Sequence, residues 1–512
     1  MAATPVLGLD IGSQQIKIAE LRPGKNGLTI SALGIGPTPL GVIQNNIITD
    51  PATMGAAIKQ IMRESGISVK KVVGCISGQN AVVIRIIEVP RMTDAELKET
   101  MKWEVERHVP FAPSETMLDY QPLVQYTAEA RNAPNMEVLL AVAQQDAVNN
   151  YLNAIYAAGL DPIAIDIEPL ATARAVLDLA EGGQPLSRPQ FLPGQEIMPD
   201  GPPPETVAIV NIGAANTDIS IFQGDQLTFP RSLPLAGDSL TRAIAEALQY
   251  TPEQAERVKR EYAVVQLDRM AVYTGSHYEG EGGFDNAPQF EDESAFNLNE
   301  DGEDHPFDLN AGDDAAFGES GFRATPSGRL GEPRFDDVER TQPMSRRTLN
   351  LAKPLQSDNS PFLSGDASSF GLPPIEGTVD ADKLRDDIFE AIAPVLGEMA
   401  SELRRSLDYY RSRGAQVSVD RVLLTGGTAN LTNFAAFLQN ELQLPVAVAN
   451  PLAGLTVTSK QFDPSYLPVI GPAFTVAIGL AARDAVFSAN PVPKAPKTPK
   501  VSRKEAAAGV PG

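Results

Sequence analysis

Three turns in this chain carry residue types suited to phosphate. They run Asp10-Ile11-Gly12-Ser13-Gln14-Gln15-Ile16-Lys17, Asn211-Ile212-Gly213-Ala214-Ala215-Asn216-Thr217-Asp218, and Thr425-Gly426-Gly427-Thr428-Ala429-Asn430. Each follows an apolar strand. In the first, Gly12 lets the backbone approach phosphate oxygens, while the Ser13 hydroxyl and the hairpin amides around Gln14 can donate to them. Lys17 offers a point charge on the next strand, and Asp10 can hold a hydrated Mg²⁺. A polar hairpin is the ordinary reading of any one such turn. Three in this order suggest a nucleotide held between two halves of a molecule.

Those turns must be positioned by strands that end together. Val6–Ile11, Gln15–Leu21 and Leu28–Ile35 read as a three-strand meander, with Pro23-Gly24 and Asn26-Gly27 as turn material. Thr206–Ile212, Asp218–Phe222 and Leu227–Leu233 repeat the scheme, and a helix from Asp238 follows. The echo implies two related halves. Between them, Asp50-Pro51 opens a helix that Gly66 ends. Thr93 and Glu96 form a capping box for a helix reaching His108, with Leu97, Met101 and Val105 on one stripe. A long helix, Ala381–Ser412, carries an apolar stripe from Leu384 to Leu407 that reads as core packing.

At 512 residues the chain exceeds one core, so several domains are expected. The single cysteine, Cys75, excludes an internal disulfide and reads as a small buried hydrophobe in a strand. A formal charge of -23 argues against nucleic-acid binding. No signal peptide is evident, no uncharged apolar run of membrane-spanning length is expected, and the protein reads as cytosolic. His108, His277 and His305 lack metal-site spacing; His108 would complement its helix dipole. Trp103 reads as core rather than as a partner contact. Residues 182–205 are a Gly/Pro-rich linker, residues 266–378 an acidic insertion expected to be disordered, and residues 489–512 a flexible basic tail. Between Ser276 and Ser320 the insertion holds 14 acidic residues and no Lys or Arg, too little apolar material to offset chain entropy.

The spacing Asp10, Gly12, Ser13, Lys17 resembles the first phosphate motif of the actin superfamily, in which two RNase H-like domains close on ATP. Gly213 and Thr217 resemble its second phosphate motif, and Gly426-Gly427-Thr428 its adenosine motif. Glu168-Pro169-Leu170-Ala171-Thr172-Ala173 resembles the first connecting segment, and Ala477-Ile478-Gly479-Leu480 the second. Gly237 and the Glu256 to Lys259 segment resemble the part of the division protein FtsA that approaches the nucleoside. Met92 to Leu97, Trp103 to Phe111, Asp119-Tyr120-Gln121, Asp166 to Pro169 and Asn450-Pro451 are similar to the PilM family of actin-like type IV pilus assembly proteins.

The resemblance implies an α/β actin-like ATPase fold with an FtsA-type subdomain 1C. Domain 1A would be residues 1–84 and 161–181, with the helix 471–488 returning to it. Subdomain 1C would be 85–160, and domain 2 would be 206–265 and 379–470. It also implies ATP and Mg²⁺ as cofactors, with Asp10 holding the metal through water and Glu168 positioning the attacking water. Its implied partner is the N-terminal tail of the inner-membrane protein PilN, reached from the cytoplasmic face and serving twitching motility. An FtsA-like filament protein is the alternative, and self-association is compatible with either. Two positions depart: Asn211 stands where the family usually has Asp, and Ala214 where actin has a carboxylate. Slow or absent hydrolysis is therefore expected, since a positioned base contributes about 10²–10⁴-fold.

Overall fold

The computed structural model describes residues 5–24, 27–109, 111–123, 132–179, 204–275, 380–412, 418–452, 455–459, 462 and 464–489. Most of the linker, the acidic insertion beyond residue 275 and the basic tail, with His277 and His305, lie outside the described residues.

Both meanders form, and each seeds a sheet. In the first lobe β1 (Val6–Ile11) pairs antiparallel with β2 (Gln15–Gly24), which pairs with β3 (Gly27–Pro37). A small hairpin, β4 (Ile43–Gln44) and β5 (Ile47–Ile48), precedes the helix Pro51–Glu64, capped by Asp50. On its other side β1 pairs in parallel with β6 (Lys71–Ile76). A three-stranded antiparallel sheet then follows, built of β7 (Val82–Pro90), β8 (Thr116–Pro122) and β9 (Asn135–Gln144) in the order β7-β9-β8. The chain returns through β10 (Asp161–Ile167), parallel to β6.

The second lobe repeats this plan with β11 (Thr206–Ile212), β12 (Thr217–Gln223), β13 (Gln226–Leu233), β14 (Arg421–Thr425) and β15 (Val446–Val448). Its order β13-β12-β11-β14-β15 matches β3-β2-β1-β6-β10 strand for strand, with the same directions. A short β16 (Thr456–Val457) extends the first sheet beside β3. The long helix Ala381–Ser412 covers the second sheet through Ile388, Phe389, Ile392 and Leu396, all fully buried. That apolar stripe is core, as its period requires.

Four sequence expectations need correction. The helix Gln145–Ala157 lies within the span expected for subdomain 1C, yet Val148, Tyr151 and Ile155 bury in the first lobe's core. Its stripe is compatible with either sheet, and only packing decides. Order also persists past residue 265, because Leu267–Gly275 is a helix with Met270 buried. Trp103 is 69% exposed, not core: Leu97 and Met101 fill the space over the three-stranded sheet, and Trp103 lies off their line. Finally, Leu467–Val486 is long and apolar enough by composition to cross a bilayer, but 67% of it is buried and its C-terminal part is the helix Thr475–Ala489 packed on β1.

Two helices join the lobes. Glu168–Val176 leaves β10 and crosses Thr475–Ala489 at a point where a Cβ on Gly479 would lie 1.7 Å from the Ala171 carbonyl oxygen. Only glycine permits that approach. Arg174, 4% exposed, donates to the Gly479 carbonyl at 3.0 Å and pairs with Asp166 at 2.9 Å, so the crossing is also tied by charge.

Candidate functional site

Matching the two lobes places two hairpins opposite each other. In the first, the Gly12 amide donates to the Gln15 carbonyl at 3.1 Å; in the second, the Gly213 amide donates to the Asn216 carbonyl at 3.0 Å. Asp10 faces Lys17 in the β1–β2 register, and Asn211 faces Asp218 in the β11–β12 register. A cleft of about 410 Å³ lies between them, within the range of small-ligand sites. Its walls include Asp10, Gly12, Ser13, Gln14, Lys17, Glu168, Asn211, Gly213, Gly237, Glu256, Lys259, Gly426, Gly427 and Thr428. One expected residue is missing. Thr217 is 1% exposed and donates its hydroxyl to the Leu235 carbonyl at 2.7 Å, so it supports the hairpin from behind instead of lining the cleft.

The polar groups form two clusters. At the hairpin ends, Lys17 Nζ is 3.0 Å from Asp10 Oδ2, Asn211 Nδ2 donates to Glu168 Oε1, and Thr425 Oγ1 is 3.1 Å from Asn211 Oδ1. Burial, then the negative charges of Asp218 and Asp10, push Glu168 up to about 8. Burial also pushes Asp218 up to about 6. Two carboxyls so placed hold a proton between them near neutral pH. At the far end, Lys259 Nζ meets Glu256 at 2.6 Å, Thr241 Oγ1 at 2.7 Å and the Gly237 carbonyl at 2.9 Å. Burial would raise Glu256, but Lys259 and Arg260 outweigh it and hold the carboxyl below its ordinary range. His108 is lowered by burial and sits 3.2 Å from Glu104, so it is neutral near pH 7 and does not charge its helix end as expected.

Glycine shapes the cleft where backbone must be close. Gly426 has φ +88°, and a Cβ there would lie 2.4 Å from the Ile212 carbonyl oxygen; Gly427 opens on free space. A Cβ on Gly237 would lie 2.7 Å from Thr428 Oγ1. The result is a wall of closely approached turns following β11 and β14, with no side chain at Gly426 or Gly427. Around the cleft as a whole five carboxyl groups, Asp10, Glu168, Asp218, Asp238 and Glu256, outnumber three cations, Lys17, Lys259 and Arg260. A bare polyphosphate would be repelled by that balance, whereas one carrying a divalent cation matches it. The residues thus fit a magnesium nucleotide, with Asp10 and Lys17 at its charged end.

Polar bonds span the lobes across the cleft. Gln14 Nε2 donates to Asp238 at 3.1 Å, Gln79 Nε2 to the Ser232 carbonyl at 2.7 Å, and Asn216 Nδ2 to Asn46 at 3.4 Å. Sequence reasoning did not single out Asp218 or Asp238. The signal for Asp218 was present, since it stands seven residues after Asn211 as Lys17 does after Asp10. The carboxyl missing at residue 211 is thus present on the neighbouring strand, beside that of Glu168.

Two RNase H-like lobes, matched hairpins and crossed connecting helices define an actin-like fold with an FtsA-type inserted subdomain. Comparison narrows the class: the chain matches the family described as Type IV pilus assembly protein PilM over residues 8–266 and 382–485, and it belongs to that family. A solved PilM-PilN type IV pilus biogenesis complex is similar over 94% of this chain and 99% of that one, with 25% identity and a TM-score of 0.59. The cell division protein FtsA of Bacillus subtilis (strain 168) is 24% identical over 285 residues, 52% of this chain and 59% of that protein. FtsA of Streptococcus pneumoniae serotype 2 (strain D39 / NCTC 7466) is 22% identical over 276 residues, 50% of this chain and 55% of that protein. The chain thus spans less than two-thirds of the length of these curated relatives.

Proposed function

We propose that this chain is an ATP-binding scaffold of the type IV pilus assembly machinery, acting at the cytoplasmic face of the inner membrane. It would bind the N-terminal cytoplasmic tail of a PilN-type membrane protein. One observation carries the nucleotide half of this reading: the register-matched hairpins bring Asp10–Lys17 and Asn211–Asp218 to the same cleft. Similarity to the PilM-PilN complex over nearly the whole chain supports the partner.

In this reading Gly12, Ser13, Gln14 and Gly213 cradle the phosphates, Lys17 pairs with them, and Asp10 holds Mg²⁺ through water. The metal, when bound, supplies charge neutralisation at the phosphates. Gly237, Glu256, Lys259 and Gly426 to Thr428 hold the nucleoside. Glu168 would be the carboxyl that orients water, and its raised titration leaves it protonated near neutral pH, where it is a poor base. Asn211 donates to one of its oxygens and brings no charge. Turnover is therefore slow or absent, and the nucleotide clamps the lobes.

Titration calorimetry with ATP and Mg²⁺ tests the cleft. Lys17→Ala should weaken binding roughly tenfold or more, because charge-assisted bonds contribute about 1.5–3 kcal/mol; unaltered affinity would refute the phosphate assignment. Capture of a PilN N-terminal peptide, with and without ATP, tests the partner. FtsA-like polymerisation is the second reading, motivated by the FtsA relatives, and concentration-dependent sedimentation distinguishes it.

A further inference from the structure

We infer that the Tyr151 hydroxyl is a positioning group for the cleft carboxylate Asp10: wedged between β1 and β6, it ends their pairing and sets the gap in which Asp10 stands. The inference rests on the magnesium-nucleotide reading of the cleft and adds to it a residue behind the wall.

In a parallel pair, a carbonyl on one strand meets an amide on its neighbour at regular intervals. The β1–β6 ladder runs Leu7↔Val72, Gly8↔Val73, Leu9↔Gly74 and stops, although β1 continues to Ile11 and β6 to Ile76. On its far side β6 remains paired with β10 to its end, at Ile167↔Ile76. Strand β6 has therefore not frayed. The break is local, and it falls where Tyr151 enters. Its hydroxyl donates to the Leu9 carbonyl at 3.1 Å and accepts from the Cys75 amide at 3.2 Å, standing between the two groups that would otherwise bond directly.

The surroundings are built to admit the ring. Tyr151 is 6% exposed and held by the helix Gln145–Ala157, whose Ala147, Val148, Ala154 and Ile155 bury in the lobe. A Cβ on Gly74 would lie 2.3 Å from the hydroxyl oxygen and 2.5 Å from Cε1, so this glycine makes room for the ring. The residue after Leu9 is Asp10. Without a register partner on β6, Asp10 is held from the β2 side, by pairing with Lys17 and by the Lys17 ammonium at 3.0 Å. Asp10, Cys75, Ile76, Ser77 and Tyr151 all line the cleft, so the widened spacing opens onto it. A magnesium ion keeps several waters, and a carboxylate that binds it through water needs that width. A buried tyrosine hydroxyl needs partners somewhere; this one takes both from the ladder beside Asp10.

Tyr151→Phe isolates the hydroxyl. The Leu9 carbonyl and Cys75 amide are complementary, so they can bond directly once it is gone, closing the gap without stranding either group. Binding of the non-hydrolysable analogue AMPPNP to the full chain is measured in Mg²⁺ and in EDTA. Tyr151→Phe should lose about tenfold of the affinity gained from Mg²⁺, the scale of outer-sphere losses, with affinity in EDTA and the melting transition unchanged. An undiminished Mg²⁺ gain in the variant, or an equal loss in both buffers, overturns the inference. If the wild type gains nothing from Mg²⁺, the functional reading fails first and this inference with it. Amide exchange at Cys75 in the nucleotide-free variant is a second readout: slower exchange marks the direct bond, and faster exchange overturns the closing of the gap.

Discussion

Asp10, Lys17, Glu168, Asn211 and Asp218 form the chemical centre of the molecule, and burial, ahead of any partner, raises the Glu168 and Asp218 carboxyls. Raised carboxyls bind protons more tightly folded than unfolded. Their stabilising contribution is complete below the ordinary carboxylate range near about 4 and is lost as pH climbs through about 6 and then about 8. The nucleotide-free protein should therefore lose stability as pH rises from about 4 to about 8. Glu168→Gln, an uncharged near-isostere, should flatten the upper part of that decline in denaturant titrations across pH. An unaltered slope in the variant would assign the effect to other groups. Pairing of β11 with β12 sets Asp218 opposite Asn211 and makes it the fifth member.

Among the elements, the crossing of the two connecting helices tolerates the least change. Gly479 lies against the Ala171 carbonyl, and Gly8 admits the same C-terminal helix onto β1, where a Cβ would lie 1.8 Å from the Ala477 carbonyl oxygen. Backbone is on both sides of each contact, so neither can yield as a flexible side chain would. Gly479→Ala should cost about 3 kcal/mol or more, the upper end for overpacking, read from the denaturant midpoint. An unmoved midpoint would mean that the helices can slide apart. By contrast the helix starts were readable locally: Asp50 caps Thr53, and Thr93 and Glu96 exchange bonds as the capping box requires. Such signals need only neighbours a turn away.

At the scale of the molecule, the inserted sheet belongs to both lobes. One face is closed by Leu97 and Met101; the other, through Leu139 with Ile84 and Ile86, packs on Val207, Ile209, Phe222 and Leu227 of the second lobe and on Ala173 of a connecting helix. Strand β11, which carries Asn211 to the cleft, thus carries the inserted subdomain on its other end. Leu139→Ala should cost about 2–5 kcal/mol, as a truncation in a buried seam, although it lies in an insertion that sequence alone would set apart. A loss under about 1 kcal/mol in chemical denaturation would show that the seam relaxes around the cavity.

What the chain declares by itself is whatever depends on neighbours close in sequence. Strand alternation, the Gly12 and Gly213 hairpins, the capping residues and the repeated meander can all be read within a dozen positions, and they already define two related lobes with phosphate-type turns. The tertiary structure alone decided which carboxyls share a proton, that Thr217 faces inward, that Trp103 faces solvent, and that Tyr151 enters the ladder beside Asp10. Those outcomes join Glu168 to Asn211, 43 residues apart, and Tyr151 to Leu9, 142 apart. Periodicity specifies that a face is buried but not against what, and long-range closure makes that choice through packing summed over a whole core.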